Sequence, residues 1–184
     1  MEAGRLKRRE AYMNKQRTEL ANLQEKGLIM AGNAMSSVVF LKGKLTQQDL
    51  GAEGLLSGAD GVALHKSLGA LGYEPQDWQA LATTTLSGQP LAAFDLRLGV
   101  STLSPSTVII CDEQAASVFR NAYAQELAAI TDLNEAMLKE GVVAHILGMR
   151  VLNLGGFEDS LRDKSQKQVM WARLKQVPAQ GEPF

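Results

Sequence analysis

Residues 38–68, which read VVFLKGKLTQQDLGAEGLLSGADGVALHKSL, decide the fold predicted for this chain. The first four of them, 38–41, form a short apolar run of the kind that is buried on both faces of a parallel sheet. A polar loop follows, and residues 57–61 bring two glycines to the start of a helix predicted to end near Leu71. Ligands of open α/β sheets bind where strands end and helices begin, so this loop is the first place to look for a site.

Strand and helix patterns alternate along the rest of the chain. Residues 107–111 form a second apolar, β-rich run, and residues 31–33 are predicted to be a link before the first strand. Further strands are predicted at 81–86 and 150–154 and further helices at 62–71, 91–98, 114–129, 134–140 and 160–177, while 142–149 is ambiguous. This order predicts an α/β fold with three α/β/α layers and a mostly parallel central sheet. It also makes 38–41 and 107–111 neighbouring central strands.

Length and composition predict one globular domain behind a helical arm. The chain has 184 residues, of which 45% are hydrophobic and 21% are charged, so it can bury a core and is not disordered by composition. An amphipathic, basic helix is predicted within residues 1–26, where Leu6, Met13, Leu20 and Leu23 recur among charged neighbours and Gly27 follows as a stop. The α/β domain is then assigned to 27–178, and 179–184 to a C-terminal tail.

The charge of the chain is unevenly distributed. The net charge is −1, whereas residues 1–26 alone carry +3. Enzymes that act on nucleic acids usually carry a broader basic face, because phosphate contacts supply most of their non-specific affinity. We therefore expect any nucleic-acid binding to be weak, insensitive to sequence and dependent on salt. The cations available for it are Arg5, Lys7, Arg8, Arg9, Lys15, Arg17, Lys42 and Lys44.

Targeting and redox signals predict a cytoplasmic protein. The first residues are charged without an apolar core, and no apolar run approaches the length of a membrane span, so neither a secretory signal nor a membrane partner is expected. The single cysteine, Cys111, excludes an internal disulfide and argues against a cysteine-rich zinc site. No cofactor and no metal site are predicted.

Residues 38–68 resemble, without a gap, the first motif of the uracil-DNA glycosylase superfamily, especially its bacterial branch with an iron–sulfur cluster. The leading valines and phenylalanine, the glycines Gly58 and Gly61, and the later Leu64, Lys66 and Leu68 all fit that motif. Residues 103–116 resemble the family's LxPKVVVALGxxA strand-to-helix unit, and 149–154 with the helix through Trp171 resemble its closing segment. The resemblance runs in the family's order from about residue 20 to 177 and implies the family's fold.

The same resemblance implies that the glycosylase chemistry is missing. The family's GEAPG loop, which positions the catalytic water, is replaced by residues 42–46, with no carboxylate. Leu55 and Leu56 stand where the family has an aromatic ring that stacks on the flipped base. The turn that supplies the family's histidine reads NLGGF at 153–157, and one cysteine cannot hold a cluster that needs four. No catalytic residue is therefore assigned.

A ligand site at the end of the first strand would use Lys42, Gly43 and Lys44. Backbone N–H groups and ammonium charges both favour an anion such as phosphate there. Solvated loop lysines are the favoured alternative for this pair. Asp112, which follows the second strand, is expected at the same edge of the sheet.

The glycine-bearing loop supplies the other candidate ligand-binding residues, Ser57, Gly58, Asp60 and Gly61. Their amides could face a ligand, but a turn and close packing explain the glycines equally, and an N-cap role explains the carboxylate of Asp60. Structure is the favoured interpretation.

Other polar residues have structural explanations that we favour. Residues 111–113, Cys-Asp-Glu, could supply a nucleophile or an acid–base pair, although a buried cysteine beside helix-start acids is the ordinary case. We expect His65 to be exposed and His145 to be partly buried. Glu158 and Asp159 beside two glycines could form a divalent-ion loop, but no third ligand is near them in sequence.

Three functions follow from these patterns. The favoured one is a non-catalytic glycosylase-like protein with a binding or accessory role toward nucleic acid or a nucleotide. The second is a divergent glycosylase or hydrolase with a site rebuilt around Asp60, Asp112, Glu113 or Glu158. It requires at least two of these carboxylates to converge on one cleft with perturbed pKa values. The third is a structural subunit that docks through its N-terminal helix and an exposed apolar patch.

Overall fold

A computed structural model describes residues 2–178 of the chain, so the predicted tail at 179–184 lies outside the described residues. Helices and strands alternate through most of this range. The strands are β1 (Met30–Gly32), β2 (Val38–Lys42), β3 (Gln79–Ala82), β4 (Thr107–Ile110), β5 (Val143–Ile146) and β6 (Met149–Asn153). The helices are α1 (Glu2–Glu25), α2 (Ala59–Ala70), α3 (Ala93–Leu103), α4 (Glu113–Ala122), α5 (Ala124–Ala128), α6 (Leu133–Ala136), α7 (Phe157–Ser160) and α8 (Lys164–Leu174).

The six strands form one mixed sheet in the order β1-β3-β2-β4-β6-β5. The inner strands β3, β2, β4 and β6 are parallel, and the edge strands β1 and β5 are antiparallel to their neighbours. Phe40 of β2 pairs directly with Ile109 of β4. The prediction that the two apolar runs are neighbouring parallel strands is therefore confirmed, as is the mostly parallel α/β class.

Two apolar cores cover the two faces of the sheet. Successive side chains of a strand point to opposite faces. Val39 and Leu41 join the core formed with α1, α3 and α4, whereas Val38 and Phe40 join the core formed with α2 and α8. Every residue of β2 is buried, as expected for a strand in the middle of a sheet that is covered on both sides.

The edges of the sheet were not predicted correctly. Residues 30–32, taken in part as a link, form β1, and the ambiguous stretch before residue 149 forms β5 as one arm of a hairpin. Leu147 and Gly148 have positive φ at that turn, which suits a tight hairpin. The edge strands are short and only partly buried, so their apolar periodicity is weak.

Several element bounds also differ from prediction. The strand predicted at 81–86 is β3 at Gln79–Ala82, so the three threonines follow it instead of lying in it. The helix predicted at 114–129 is divided at Tyr123, and the one predicted at 160–177 is divided before Asp163, whose carboxylate accepts a hydrogen bond from Ser165 and caps α8. The arm helix and the helix before Gly72 are found close to their predicted positions. No helix among residues 2–178 is long and apolar enough to cross a membrane.

Replacing Ile109 by Ala tests the importance of the central strand pair. Ile109 is completely buried in the core beneath α2 and α8. We expect the substitution to lower the free energy of unfolding by about 2 to 5 kcal/mol, because it removes apolar contacts and leaves a cavity. Chemical denaturation of the two proteins measures this difference. The exposed Lys44 provides the control, and a Lys44→Ala variant that lost as much stability would contradict the expectation.

Candidate functional site

The candidate site lies at the carboxyl edge of the four parallel strands. Because these strands run in one direction, the residues after β2, β3, β4 and β6 meet at one edge of the sheet. Backbone hydrogen bonds continue past the strand ends: the amide of Thr83 donates to Lys42, and the amide of Phe157 donates to Cys111. The segments that could form a site are therefore held close together.

Lys42 lies inside the protein at this edge, so the prediction of a solvated loop lysine is wrong for it. Its side chain is only 2% exposed. The ammonium Nζ lies 2.7 Å from Asp49 Oδ2 and 2.6 Å from Asp60 Oδ2. Glu158 approaches the same nitrogen more loosely, at 3.6 Å, and its own side chain is 43% exposed. We call these four residues the Lys42 cluster.

Strand geometry explains why Lys42 is buried. It is the last residue of β2, and its side chain points to the same face as Val38 and Phe40. That face is covered by α2, and the loop before α2 brings Asp49 over the end of the strand. A buried ammonium is tolerated only when carboxylates and hydrogen bonds replace water, and two buried carboxylates do so here.

Asp49 is the residue of this cluster that sequence reasoning missed. Its Oδ2 accepts hydrogen bonds from the amide and the hydroxyl of Thr46, at 2.8 and 3.0 Å, as well as from Lys42. Its Oδ1 accepts a bond from the amide of Leu56 at 3.0 Å. The spacing Thr46-x-x-Asp49 is a local hydrogen-bonding pattern visible in the sequence, but it gives no indication of the lysine.

Asp60 reaches Lys42 from the first turn of α2. The N-cap of that helix is Gly58, so the predicted N-cap role of Asp60 is wrong. Its side chain is buried, and its Oδ1 accepts a hydrogen bond from the amide of Gly61 at 2.8 Å. The carboxylate thus pairs with the ammonium of Lys42 through one oxygen and accepts a backbone hydrogen bond through the other.

The cluster keeps Lys42 protonated and Asp49 ionised. Burial by itself would lower the pKa of Lys42, but the hydrogen bonds and charges of Asp49 and Asp60 raise that pKa above its ordinary value. Burial by itself would raise the pKa of Asp49, but hydrogen bonds from Lys42, Thr46 and Leu56 hold it below its ordinary value. A protonated amine has no free electron pair, so Lys42 in this state is neither a base nor a nucleophile.

The carboxylate of Asp112 accepts the backbone N–H groups that were predicted to be able to bind an anion. Its carboxylate accepts hydrogen bonds from the amides of Gly43, Lys44 and Ala115, at distances between 2.8 and 3.2 Å. It is the N-cap of α4 and at the same time joins that helix to the end of β2. The predicted meeting of these two segments is confirmed. An external phosphate would have to displace a carboxylate that belongs to the chain itself.

The glycines of the site are explained by close packing. A Cβ at Gly43 would lie 2.6 Å from the amide nitrogen of Ala115, so only glycine lets α4 approach β2 this closely. A Cβ at Gly61 would overlap the carbonyl oxygen of Leu56. Ser57 donates its hydroxyl to the carbonyl of Gly54 at 2.7 Å. Packing and local hydrogen bonds thus explain Gly43, Gly61 and Ser57 without a ligand.

Cys111 and Glu113, the remaining candidates, lie in different environments. Cys111 is buried, and this burial raises the pKa of its thiol well above the ordinary value, so it is not poised as a nucleophile. Glu113 instead forms an ion pair with Arg120 at 2.7 Å. Within residues 2–178, no group of three histidine, cysteine or acidic side chains is arranged to hold a metal ion.

Both histidine predictions are wrong. His65 is half-buried, with its ring centroid 4.4 Å from that of Trp78, because α2 packs over the loop before β3. Burial lowers the pKa of His65, an effect that the charge of Asp60 partly opposes. His145 is exposed, since its side chain points outward on the edge strand β5. The two rings therefore do not contribute to one site.

A comparison with protein-family models finds no family that matches this chain, and a comparison with curated proteins likewise finds no match.

Replacing Lys42 by Met tests whether the cluster holds the edge together. The variant keeps the length of the side chain but leaves Asp49 and Asp60 buried without their cation. We expect a loss of about 3 to 5 kcal/mol in the free energy of unfolding. A triple variant, Lys42→Met/Asp49→Asn/Asp60→Asn, should recover part of this loss because no unpaired charge remains. Denaturation curves measure both, with Lys44→Met as the matched control. Equal stability of Lys42→Met and Lys44→Met would contradict the expectation.

Proposed function

We propose that this protein is a non-catalytic binding protein on a uracil-DNA glycosylase-like α/β/α scaffold. The observation that supports it most is the closed carboxyl edge of the sheet. The buried ammonium there is neutralised by Asp49 and Asp60, and the nearby amide donors are satisfied by Asp112. An enzyme of this architecture needs reactive groups at that edge that can reach a substrate.

The order of the elements supports the scaffold assignment. The stretch that resembles the family's first motif forms β2, a loop and α2, and the later matching stretches form β4 with α4 and β6 with the helices after it. Leu55 and Leu56, which replace the ring-bearing residues of the family, are 1% and 2% exposed. These two side chains fill the core and offer no open slot for a base.

The alternative of a rebuilt active site has less support. It required two of the four candidate carboxylates in one cleft, and Asp60 and Glu158 do approach the same nitrogen. However, Asp60 is buried and already bonded to Lys42 and to the amide of Gly61. Glu158 is then the member of this pair that solvent reaches, so the two carboxylates do not face a substrate together.

Contact with nucleic acid is the binding role that we propose for the arm. Residues 2–12 of α1 are exposed on all sides of the helix. This segment includes four cations, Arg5, Lys7, Arg8 and Arg9, which can neutralise phosphates, and one exposed aromatic residue, Tyr12. Lys42, which was counted among the phosphate contacts, is not available because it is buried.

The third function, a subunit that docks on another protein, is favoured by one specific observation. Large apolar side chains are exposed on the side of the sheet that carries α1 and α3. Phe94 and Leu147 are 69% and 68% exposed and line one groove of about 460 Å³. Contiguous exposed apolar surface is typical of sites where another protein binds.

Uracil excision is the direct test of the non-catalytic proposal. We expect the purified protein to release no uracil from single-stranded or duplex DNA, because the loop carboxylate, the histidine and the stacking ring of the family's motifs are replaced at the three matching places of this sequence. Release of the free base from a uracil-containing oligonucleotide is measured, with an active glycosylase as the positive control. Release that rises with the amount of protein, and persists after contaminating glycosylases are removed, would refute the proposal.

Charge reversal on the arm tests the nucleic-acid role. In an Arg5→Glu/Arg8→Glu/Arg9→Glu variant we expect binding of a fluorescent oligonucleotide to be nearly lost. The plot of log K against log salt should lose about one unit of slope per phosphate contact removed. Reversal is preferable to deletion of residues 1–26, because Leu23 is buried in the core.

The matched control reverses three exposed cations outside α1, Lys66→Glu/Arg162→Glu/Lys167→Glu. This variant changes the net charge of the protein by the same amount. If both variants lose binding equally, the arm is not the nucleic-acid interface.

A further inference from the structure

We call the first half of α1, residues 2–12, the arm. The second half of α1 packs through Leu23 and Leu20 against the core that it shares with α3. The first half, residues 2–12, has no buried residue and is about 16 Å long at 1.5 Å per residue. It continues a 24-residue helix that is anchored by its second half, but no tertiary contact buries any of its own side chains. A partner that covers the arm would stabilise it.

The face that packs on the domain continues along the arm. Residues seven apart lie nearly above one another on a helix. Leu6 therefore lies on the same side as Leu20, and Arg9 lies on the same side as the buried Leu23. Leu6 is nevertheless 58% exposed. The arm thus presents an apolar side chain flanked by arginines, on a face that elsewhere in the same helix is covered.

A groove that combines apolar and acidic residues lies between α1 and α3. It has a volume of about 680 Å³, and we call it the α1–α3 groove. The partly exposed Leu98 supplies its apolar surface, above the buried Leu23, and Glu19 and Glu25 stand among its lining residues. Lys26 also lines it, and Glu19 is held only loosely by Lys15, at 3.8 Å on the surface. The groove combines apolar surface with carboxylates, which are the complements of Leu6 and of the arginines of the arm.

We propose that the α1–α3 groove is filled by the arm of a second copy of this chain. Each arm would lie in the groove of the other copy, with the two α1 helices antiparallel. Leu6 would contact the apolar part of the groove, and Arg5, Arg8 and Arg9 would face Glu19 and Glu25 of the other copy. The contact is reciprocal, so it closes at two copies and does not propagate into a fibre.

The dimer and the proposed nucleic-acid complex use the same arm. Phosphate and the carboxylates of the groove compete for the same arginines, so an oligonucleotide is expected to convert dimer into monomer. Salt weakens both complexes, because the arginines of the arm are exposed to solvent, as is Glu25 of the groove. Self-association would therefore cover the arm whenever nucleic acid is scarce.

Sedimentation velocity of the full-length chain at low salt measures the oligomeric state. We expect the wild-type mass to double as the concentration rises. Two variants reverse the two sides of the interface: Arg5→Glu/Arg8→Glu/Arg9→Glu on the arm and Glu19→Lys/Glu25→Lys on the groove. Each alone should weaken dimerisation by at least about tenfold, since like charges then face each other. Circular dichroism checks that each variant is folded.

Mixing the two variants makes the test decisive. In the mixed dimer the acidic arm meets the basic groove, and the basic arm meets the acidic groove, so both contacts are restored. Recovery of dimer on mixing is expected, and the control variant Lys66→Glu/Arg162→Glu/Lys167→Glu should dimerise normally. A wild-type chain that stays monomeric, or a dimer that survives both reversals, would overturn the inference.

The outcomes also separate this inference from the proposed function. A monomer that binds the oligonucleotide through the arm overturns the dimer but leaves the nucleic-acid role intact. A dimer that follows the charge-reversal pattern but does not bind the oligonucleotide supports the inference and removes that role.

Discussion

The complete burial of β2 is the constraint on which the rest of the structure depends. Its five residues lie between β3 and β4 and under helices on both faces, and the last of them is a lysine. Taking an ammonium out of water costs several kcal/mol unless it is paired and hydrogen-bonded. The loop after β2 and the first turn of α2 meet that requirement with Asp49 and Asp60. The conformation of the segment from β2 to α2 is therefore constrained by the need to pair the charge of Lys42.

The same contacts that stabilise this edge also occupy its charged and hydrogen-bonding groups. Parallel sheets gather strand ends and helix starts at one edge, and the amides there commonly hold an anionic ligand. Here the anion is internal: Asp112 accepts the amides of Gly43 and Lys44 and caps α4. The cation is internal as well, since Lys42 is neutralised within the fold. Other exposed cations and apolar side chains lie on α1 and on the surface beside α3.

Helix α1 combines two environments in one element. Its second half is part of the core through Leu23, so the helix is anchored to the domain. Its first half is exposed and basic, and its apolar Leu6 lies on the face that the second half buries. A rigid connection between a packed half and an uncovered half presents the arm in a defined direction. Such an element suits recognition, because part of the ordering entropy is already lost before a partner binds.

The sequence by itself determined the centre of the sheet. Residues 38–41 and 107–111 are unbroken apolar runs, and burial on both faces leaves a parallel central position as the stable arrangement for them. Glycines at 27 and 72, both with positive φ, likewise indicated where two helices end. These features depend on residues that are neighbours along the chain.

Tertiary structure alone decided the short edge strands and the site. A three-residue strand carries too little periodicity to be recognised, and its hydrogen-bond partner is some 50 residues away in the chain. The burial of Lys42 depends on Asp49 and Asp60 folding back over the end of β2, and no local pattern encodes the distance between charges that lie on different segments.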